Sequence, residues 1–311
     1  ENGCTTATRT LVTATVQNTS TPTGFATQSF CDSENATIAD LVAVGSNIQW
    51  YANSTGGTPL NTSTLLTDGS TYHATQTVNG CESPNRLAVN TTIYKTVTIP
   101  LTIDNLQTCD TNADGDDTNG FSEFDLTLNA TTLLNGESLS DFTIRYFTDA
   151  TYNTLSEIVT PSNFVNTSAN NQTIYFRIEN NLDTTCISEG SFDIEVTTLP
   201  TISSSVVLKN CDEDGVPDGF TNYNLDEASS LITNNNSSLT VTYFLSFSDA
   251  DTNSGVINAA PFNNASTITP NTVYARVENS FGCHRVATVN LQVSTTSFPP
   301  GFSRPPIEAC D

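Results

Sequence analysis

The stretch Thr173–Cys186, TIYFRIENNLDTTC, sets the reading of the whole chain. Apolar and polar side chains alternate through it. Ile174, Phe176 and Ile178 share one face of an extended segment, and Tyr175, Arg177 and Glu179 share the other. Such a two-residue period marks a strand with one buried side. The run stops in Asn-Asn-Leu-Asp, a turn composition, and then reaches a cysteine. SFDIEV (191–196) follows with the same alternation.

The same phrase occurs in two other places, as TYHATQTVNGC (71–81) and VYARVENSFGC (273–283), closed by RLAVNTTI and ATVNLQV. Upstream of each lies an apolar strand, IQWY (48–51), IRYF (144–147) or VTYF (241–244). Upstream of that stands a Cys-Asp pair, at Cys31, Cys109 and Cys211, with a fourth pair at Cys310. The unit therefore reads Cys-Asp, strand, strand, strand, Cys, final strand, and an internal repeat of this size organises the fold. The opening ENGCTTATRTLVTATV parallels NGCESPNRLAVNTTI near residue 79, so Cys4 takes the place of a second cysteine and Cys310 that of a first. The expected division is 1–20 as the end of a preceding module, modules at 21–98, 99–200 and 201–297, and 298–311 as a linker and the start of the next. On this reading the chain is a window from a longer array.

Repeats of about 75–100 residues, made of short alternating strands with Gly, Asn, Asp and Pro between them, predict an all-β fold of roughly seven-stranded sandwiches. Trp50 stands where Tyr146 and Tyr243 stand in the other repeats and is expected in the core of a central strand. Proline-bearing linkers, TSTPTG (19–24), TIPLTI (98–103), TLPTIS (198–203) and FPPGFSRPP (298–306), predict a semi-rigid rod.

Eight cysteines without a C-x-x-C pair predict structural disulfides and an oxidising, extracellular compartment. Eight cysteines allow 105 connectivities. Repeat phase predicts one disulfide per module, pairing Cys31 with Cys81, Cys109 with Cys186 and Cys211 with Cys283. Cys4 and Cys310 are left to neighbouring modules, to each other, or free.

The 311 residues carry 9 Lys and Arg against 33 Asp and Glu, a formal net charge of -24. That balance excludes a nucleic-acid footprint and disfavours anionic membranes. No apolar run reaches the ~18–20 residues of a membrane span. Catalysis finds little support: carboxylates are plentiful enough for some pair to sit at glycosidase spacing, but nothing in the sequence singles one out. His73 and His284 fall in different repeats at positions read as exposed, and no nucleophile elbow, zinc helix or phosphate loop occurs. With only Lys95 and Lys209, lysine-based isopeptide cross-links are largely unavailable.

Two acidic loops follow Cys-Asp pairs. In CDTNADGDDTNG, Asp110, Asn112 and Asp114 alternate before Gly115, the opening pattern of a calcium loop. Phe121 stands where that loop would carry its bidentate Glu, with Asp116, Asp117 and Glu123 as alternatives. In CDEDGVPDGF the corresponding ligands are Asp212, Asp214 and Asp218, and this run resembles the acidic loops of thrombospondin type 3 repeats. The opposing reading is a solvated turn, with Asp and Gly serving turn geometry alone. The first repeat, with only Asp32 and Glu34, is expected to lack a site.

The phrases IQWYANSTGGTPLNTSTLLTDGSTYHATQTVNGCES and CDTNADGDDTNGFSEFDL resemble the tandem Ig-like repeats of large flavobacterial surface adhesins. The resemblance implies Ig-like sandwiches, export by type IX secretion and a link to gliding motility in Bacteroidetes. It implies a non-enzymatic stalk whose partners are neighbouring modules, with surface polysaccharide or other filaments beyond them. A carbohydrate-binding array and a spacer in a secreted polysaccharide-degrading enzyme are the alternatives. Asp183-Thr184-Thr185 matches a Bacteroidetes O-glycosylation pattern, with Thr184 as acceptor. Eleven Asn-x-Ser/Thr triplets occur, a number that a Thr/Asn-rich chain reaches by chance.

Overall fold

The computed structural model describes residues 16–111, 115–212, 218–269 and 271–294. Three four-stranded sheets recur along it. The first contains β1 (Thr27–Cys31), β2 (Gln49–Tyr51), β3 (Thr71–Thr75) and β4 (Leu87–Tyr94). The second contains β5 (Leu106–Cys109), β6 (Phe142–Phe147), β7 (Asn171–Asn180) and β8 (Ile187–Thr197). The third contains β9 (Ser205–Cys211), β10 (Thr240–Phe244), β11 (Thr272–Glu278) and β12 (His284–Ser294). In each sheet the spatial order is first, fourth, third, second. The last three strands run as an antiparallel meander, whereas the first strand pairs parallel with the last.

The alternation in Thr173–Cys186 is realised along β7. Ile174, Phe176 and Ile178 are buried, and the opposite face carries the polar set. Gly190 on β8 lies under Phe176, where an added Cβ would stand 2.6 Å from the ring. On the outer face, Arg145 binds Glu157 at 2.6 Å and Glu179 at 3.2 Å, and Arg177 binds Glu189 at 2.7 Å. The Arg145 hydrogen bonds hold the Glu157 carboxyl below its usual range.

Trp50 is buried with Ile38, Leu41, Tyr72, Ala74 and Val89. Tyr146 and Tyr243 occupy the matching register on β6 and β10, opposite Phe176 and Ala275, as Trp50 lies opposite Ala74. These strands are at the sheet edge rather than in its centre. The second layer is also lighter than seven strands would supply. In the third module it consists of the short pair Asn222–Tyr223 with Phe262–Asn263 and the helix α1 (Asp226–Ile232). Tyr223, Leu225, Ala228, Ile232 and Phe262 close the core against Val273, Val289 and Leu291 of the sheet. Burial of such side chains stabilises by ~1.5–3 kcal/mol each.

The described residues divide into two compact units. One holds residues up to Asp104 with Thr127–Val159 and Ile174–Phe192, and the other holds Asn105–Leu126, Thr160–Thr173 and Asp193 onward. Each unit contains one disulfide, Cys31–Cys186 in the first and Cys109–Cys283 in the second. Among the described residues no helix is long and apolar enough to cross a membrane.

Candidate functional site: the disulfide junctions

The observed bonds overturn the pairing expected from repeat phase. Cys31 bonds Cys186 rather than Cys81, Cys109 bonds Cys283 rather than Cys186, and Cys211 does not bond Cys283. Cys81 and Cys211 are free and exposed. Cys4 and Cys310 lie outside the described residues.

The reason is strand direction. Because the first strand runs parallel to the last, its terminal cysteine sits beside the end of that last strand: Cys31 is in register with Tyr94 and Cys211 with Ser294. The second cysteine precedes the same strand's start, directly at Cys186 and Cys283 and, at Cys81, from the short Cys81–Glu82 strand ahead of Leu87. From Cys283 to Ser294 is about 36 Å at ~3.3 Å per residue. A disulfide requires Cα atoms ~4.4–6.8 Å apart. The two cysteines of one module thus stand at opposite poles, and the four that are bonded, Cys31, Cys109, Cys186 and Cys283, have their partners on an adjoining module. The bonded pairs have Cα separations of 5.3 and 5.5 Å.

Around Cys31–Cys186, both sulfurs are buried. The Asn180 amide donates to the Lys95 carbonyl at 2.9 Å, and Ser188 Oγ donates to the Val97 carbonyl at 2.7 Å. Asn135 Nδ2 donates to the Thr98 carbonyl at 3.0 Å, and Lys95 pairs with Glu137. Asn180 also accepts from Leu182 N through its Oδ1, so one side chain shapes the turn before Cys186 and grips the linker. Asp183, in that turn, accepts from the hydroxyl and backbone N–H of Thr185, which hold its carboxyl below the usual range. Thr184 between them is exposed.

Around Cys109–Cys283 the plan repeats. Asn279 Nδ2 donates to the Thr198 carbonyl at 3.1 Å, while its Oδ1 accepts from Phe281 N and Cys283 N. Arg285 donates to Asp117 at 2.6 Å. At the matching pole of the first module, Gln76 Nε2 donates to the Ser20 carbonyl at 2.8 Å, and Thr19 Oγ1 to the Cys81 carbonyl at 3.0 Å. Asn180 and Asn279 escaped the sequence reading, although the repeated RIEN and RVEN carry them.

The acidic-loop residues fall into separate roles. Asp110 is buried and Asp212 half-buried, each at the start of its loop. Asp116 Oδ1 accepts from Thr118 N and Oγ1, and Asp218 Oδ1 accepts from Phe220 N, both as local turn caps. Asn112, Asp114 and Asp214 lie outside the described residues. Among the described residues no three His, Cys, Asp or Glu side chains converge on a metal position. The two histidines sit half-buried on strands rather than exposed. His73 has its pKa lowered by burial and by Arg86, and His284 contacts Asp251 at 3.1 Å.

The model of the Flavobacterium inter-domain disulphide bond domain matches residues 104–200 and 207–299. That of the Ig-like domain, CHU_C associated, matches residues 20–94. No curated protein matches the chain. Among solved structures, Sidekick-1 immunoglobulin domains 1-5 is similar at 10% identity and TM-score 0.26, over 80% of this chain and 52% of that one. Drosophila N-cadherin EC1-4 is similar at 13% identity and TM-score 0.19, over 80% of this chain and 66% of that one. The chain thus spans about half the length of that Sidekick-1 structure. The fold is all-β and Ig-like, and its modules are bonded to one another rather than within themselves. With two matched segments that together exceed half of the sequence, the chain belongs to the Flavobacterium inter-domain disulphide bond domain family.

Proposed function

We propose that this chain is a stretch of an extracellular stalk, a run of Ig-like repeats that spaces a distal adhesive element from a bacterial surface and is used in adhesion or gliding. The observation that carries the reading is the pair of junction disulfides: Cys31–Cys186 and Cys109–Cys283 each tie the first cysteine of one module to the second of the next. A disulfide inside a domain protects only that domain. One across a junction gives adjoining modules a second covalent connection beside the linker backbone, so that they stay joined when the linker itself is cut. The side-chain latches at Asn180 and Asn279 fix the linker beside each bond.

Cys81 stands at the pole where Cys186 and Cys283 receive a preceding module, and Cys211 at the pole from which Cys31 and Cys109 reach forward. On this reading Cys81 takes the first cysteine of a module before it, and Cys211 the second cysteine of a module after it. A net charge of -24 keeps neighbouring stalks apart in dilute salt. Type IX export and contacts with surface polysaccharide or other filaments belong to the same proposal.

Immunogold electron microscopy of intact cells, with antibody raised against this chain, tests it. The expected label runs along thin filaments projecting from the surface. Label found only in the medium overturns the stalk and favours the spacer of a secreted enzyme.

A further inference from the structure

An open groove of about 470 Å³ runs along the third module, between the outer strand β9 and the second layer. That volume lies within the ~300–1,000 Å³ of small-molecule sites. Lys209 of β9 lines one side. Asn222, Tyr223 and Asn224 of the short second-layer strand and its end line the other, with Glu227 of α1 and Pro261 beside them.

The polar groups here are held in place yet have bonding capacity to spare. Asn222 Oδ1 accepts from Asn263 Nδ2 at 3.1 Å, and Asn224 Oδ1 accepts from Asp226 N at 3.3 Å. These bonds orient both amides and leave each Nδ2 without an acceptor among the described residues. Lys209 and Glu227 have no ion pair or side-chain hydrogen bond among the described residues, although Lys95, the other lysine, is paired with Glu137. Tyr223 is only 2% exposed, and its buried hydroxyl has no hydrogen-bond partner.

The second module fills the same frame differently. There Gln107 takes the place of Lys209 and donates to Glu195 at 2.8 Å, while Glu123 takes that of Asn222 and accepts from Asn163 at 2.8 Å. Phe124 stands for Tyr223 and Leu128 for Glu227, so neither position offers a polar group. In one module the polar side chains satisfy one another or are replaced by apolar ones. In the other they remain free around a concave surface, and a bound molecule can use them.

We propose that this groove binds an uncharged sugar unit of a polysaccharide. The Lys209 ammonium and the two amide groups donate, and the Glu227 carboxylate accepts. Together they serve hydroxyls, each of which does both. Tyr223 and Pro261 offer apolar surface to the C–H face of a sugar ring. One cation and one anion leave the lining neutral, and a chain of net charge -24 repels a polyanion, which favours a neutral glycan over a uronate. The inference deepens the polysaccharide contact of the stalk reading and rests on that part of it alone. Its failure would leave the disulfide-joined stalk, read by immunogold label, standing.

The test is a two-dimensional amide NMR titration of the whole oxidised chain. The probes are neutral tetrasaccharides of glucose, mannose, galactose and xylose, beside tetragalacturonate and a Thr/Val hexapeptide able to pair with the open edge of β9. At least one neutral tetrasaccharide is expected to shift the side-chain amide signals of Asn222 and Asn224 saturably. Lys209→Met and Glu227→Gln, both at exposed positions, should each weaken that binding about tenfold, the loss of one charge-assisted hydrogen bond. Gln107→Met, at the matching place in the second module, should leave it unchanged. No saturable shift with any neutral tetrasaccharide overturns the proposal. So do shifts produced only by tetragalacturonate or the peptide, and so does undiminished binding in the folded Lys209→Met, Glu227→Gln double variant.

Discussion

Removing one junction disulfide should lengthen this chain under force by no more than about 70 Å, whereas removing both should release a far longer slack. The prediction follows from interlocking. The two bonds enclose 155 and 174 residues of sequence, and the loops overlap because Cys109 lies inside the first. Three stretches of backbone then connect one bond to the other in parallel: Cys31 to Cys109, Cys109 to Cys186, and Cys186 to Cys283. The shortest, from 109 to 186, has about 77 residues and extends to about 270 Å at ~3.5 Å per residue. With Cys31→Ser alone, the path from 31 to 109 is about 78 residues, so the limit is unchanged within a few ångströms. With Cys109→Ser alone, the path from 186 to 283 is about 97 residues, an increase of about 70 Å. With both replaced, about 252 residues separate Cys31 from Cys283, and the limit rises to about 880 Å. Single-molecule stretching between terminal handles reads these lengths directly. Pairing within modules would instead give about 53 load-bearing residues, about 190 Å, and each substitution would add its own loop independently. Additive single-variant increments would refute the lacing, as would an extension indifferent to reductant.

Gly190→Ala should destabilise the protein by about 1–3 kcal/mol, since its methyl meets the Phe176 ring at 2.6 Å in a packed core; chemical denaturation measures this, and an unchanged midpoint contradicts the packing. Asn180→Ala and Asn279→Ala should each cost about 1–2 kcal/mol by leaving a junction carbonyl and turn N–H groups without their partner, and should speed reduction of the adjoining disulfide. Glu157, whose carboxyl is lowered chiefly by hydrogen bonds from Arg145, contributes stability above its unfolded pKa near ~4.3 and loses it as pH falls through the lower folded value. Glu157→Gln should therefore flatten the acid limb of the stability profile, by about 1 kcal/mol or less because the pair is partly solvated.

Much of this architecture is legible from residue order. Alternation in TIYFRIEN gives the buried face of β7, and the shared position of Trp50, Tyr146 and Tyr243 gives one core aromatic per module. The disulfide pairing was not legible, for a specific reason. Sequence shows that Cys31, Cys109 and Cys211 end a strand, but not that this strand lies parallel to the last one, and that direction decides which pole each sulfur occupies. The helix Asp226–Ile232 is hard to read because, although Leu225, Ala228 and Ile232 stand at helical spacing, seven residues are too few for that period to stand out. The acidic loops announced themselves by composition. What composition does not show is that Asp110 is buried and accepts from Gly120 N.

The pairing itself is the central claim, and mass spectrometry of non-reduced proteolytic peptides tests it most directly. The expected linked peptides join Cys31 to Cys186 and Cys109 to Cys283. Peptides joining Cys31 to Cys81, Cys109 to Cys186 or Cys211 to Cys283 would contradict the account and return each module to a self-contained, separately stapled sandwich.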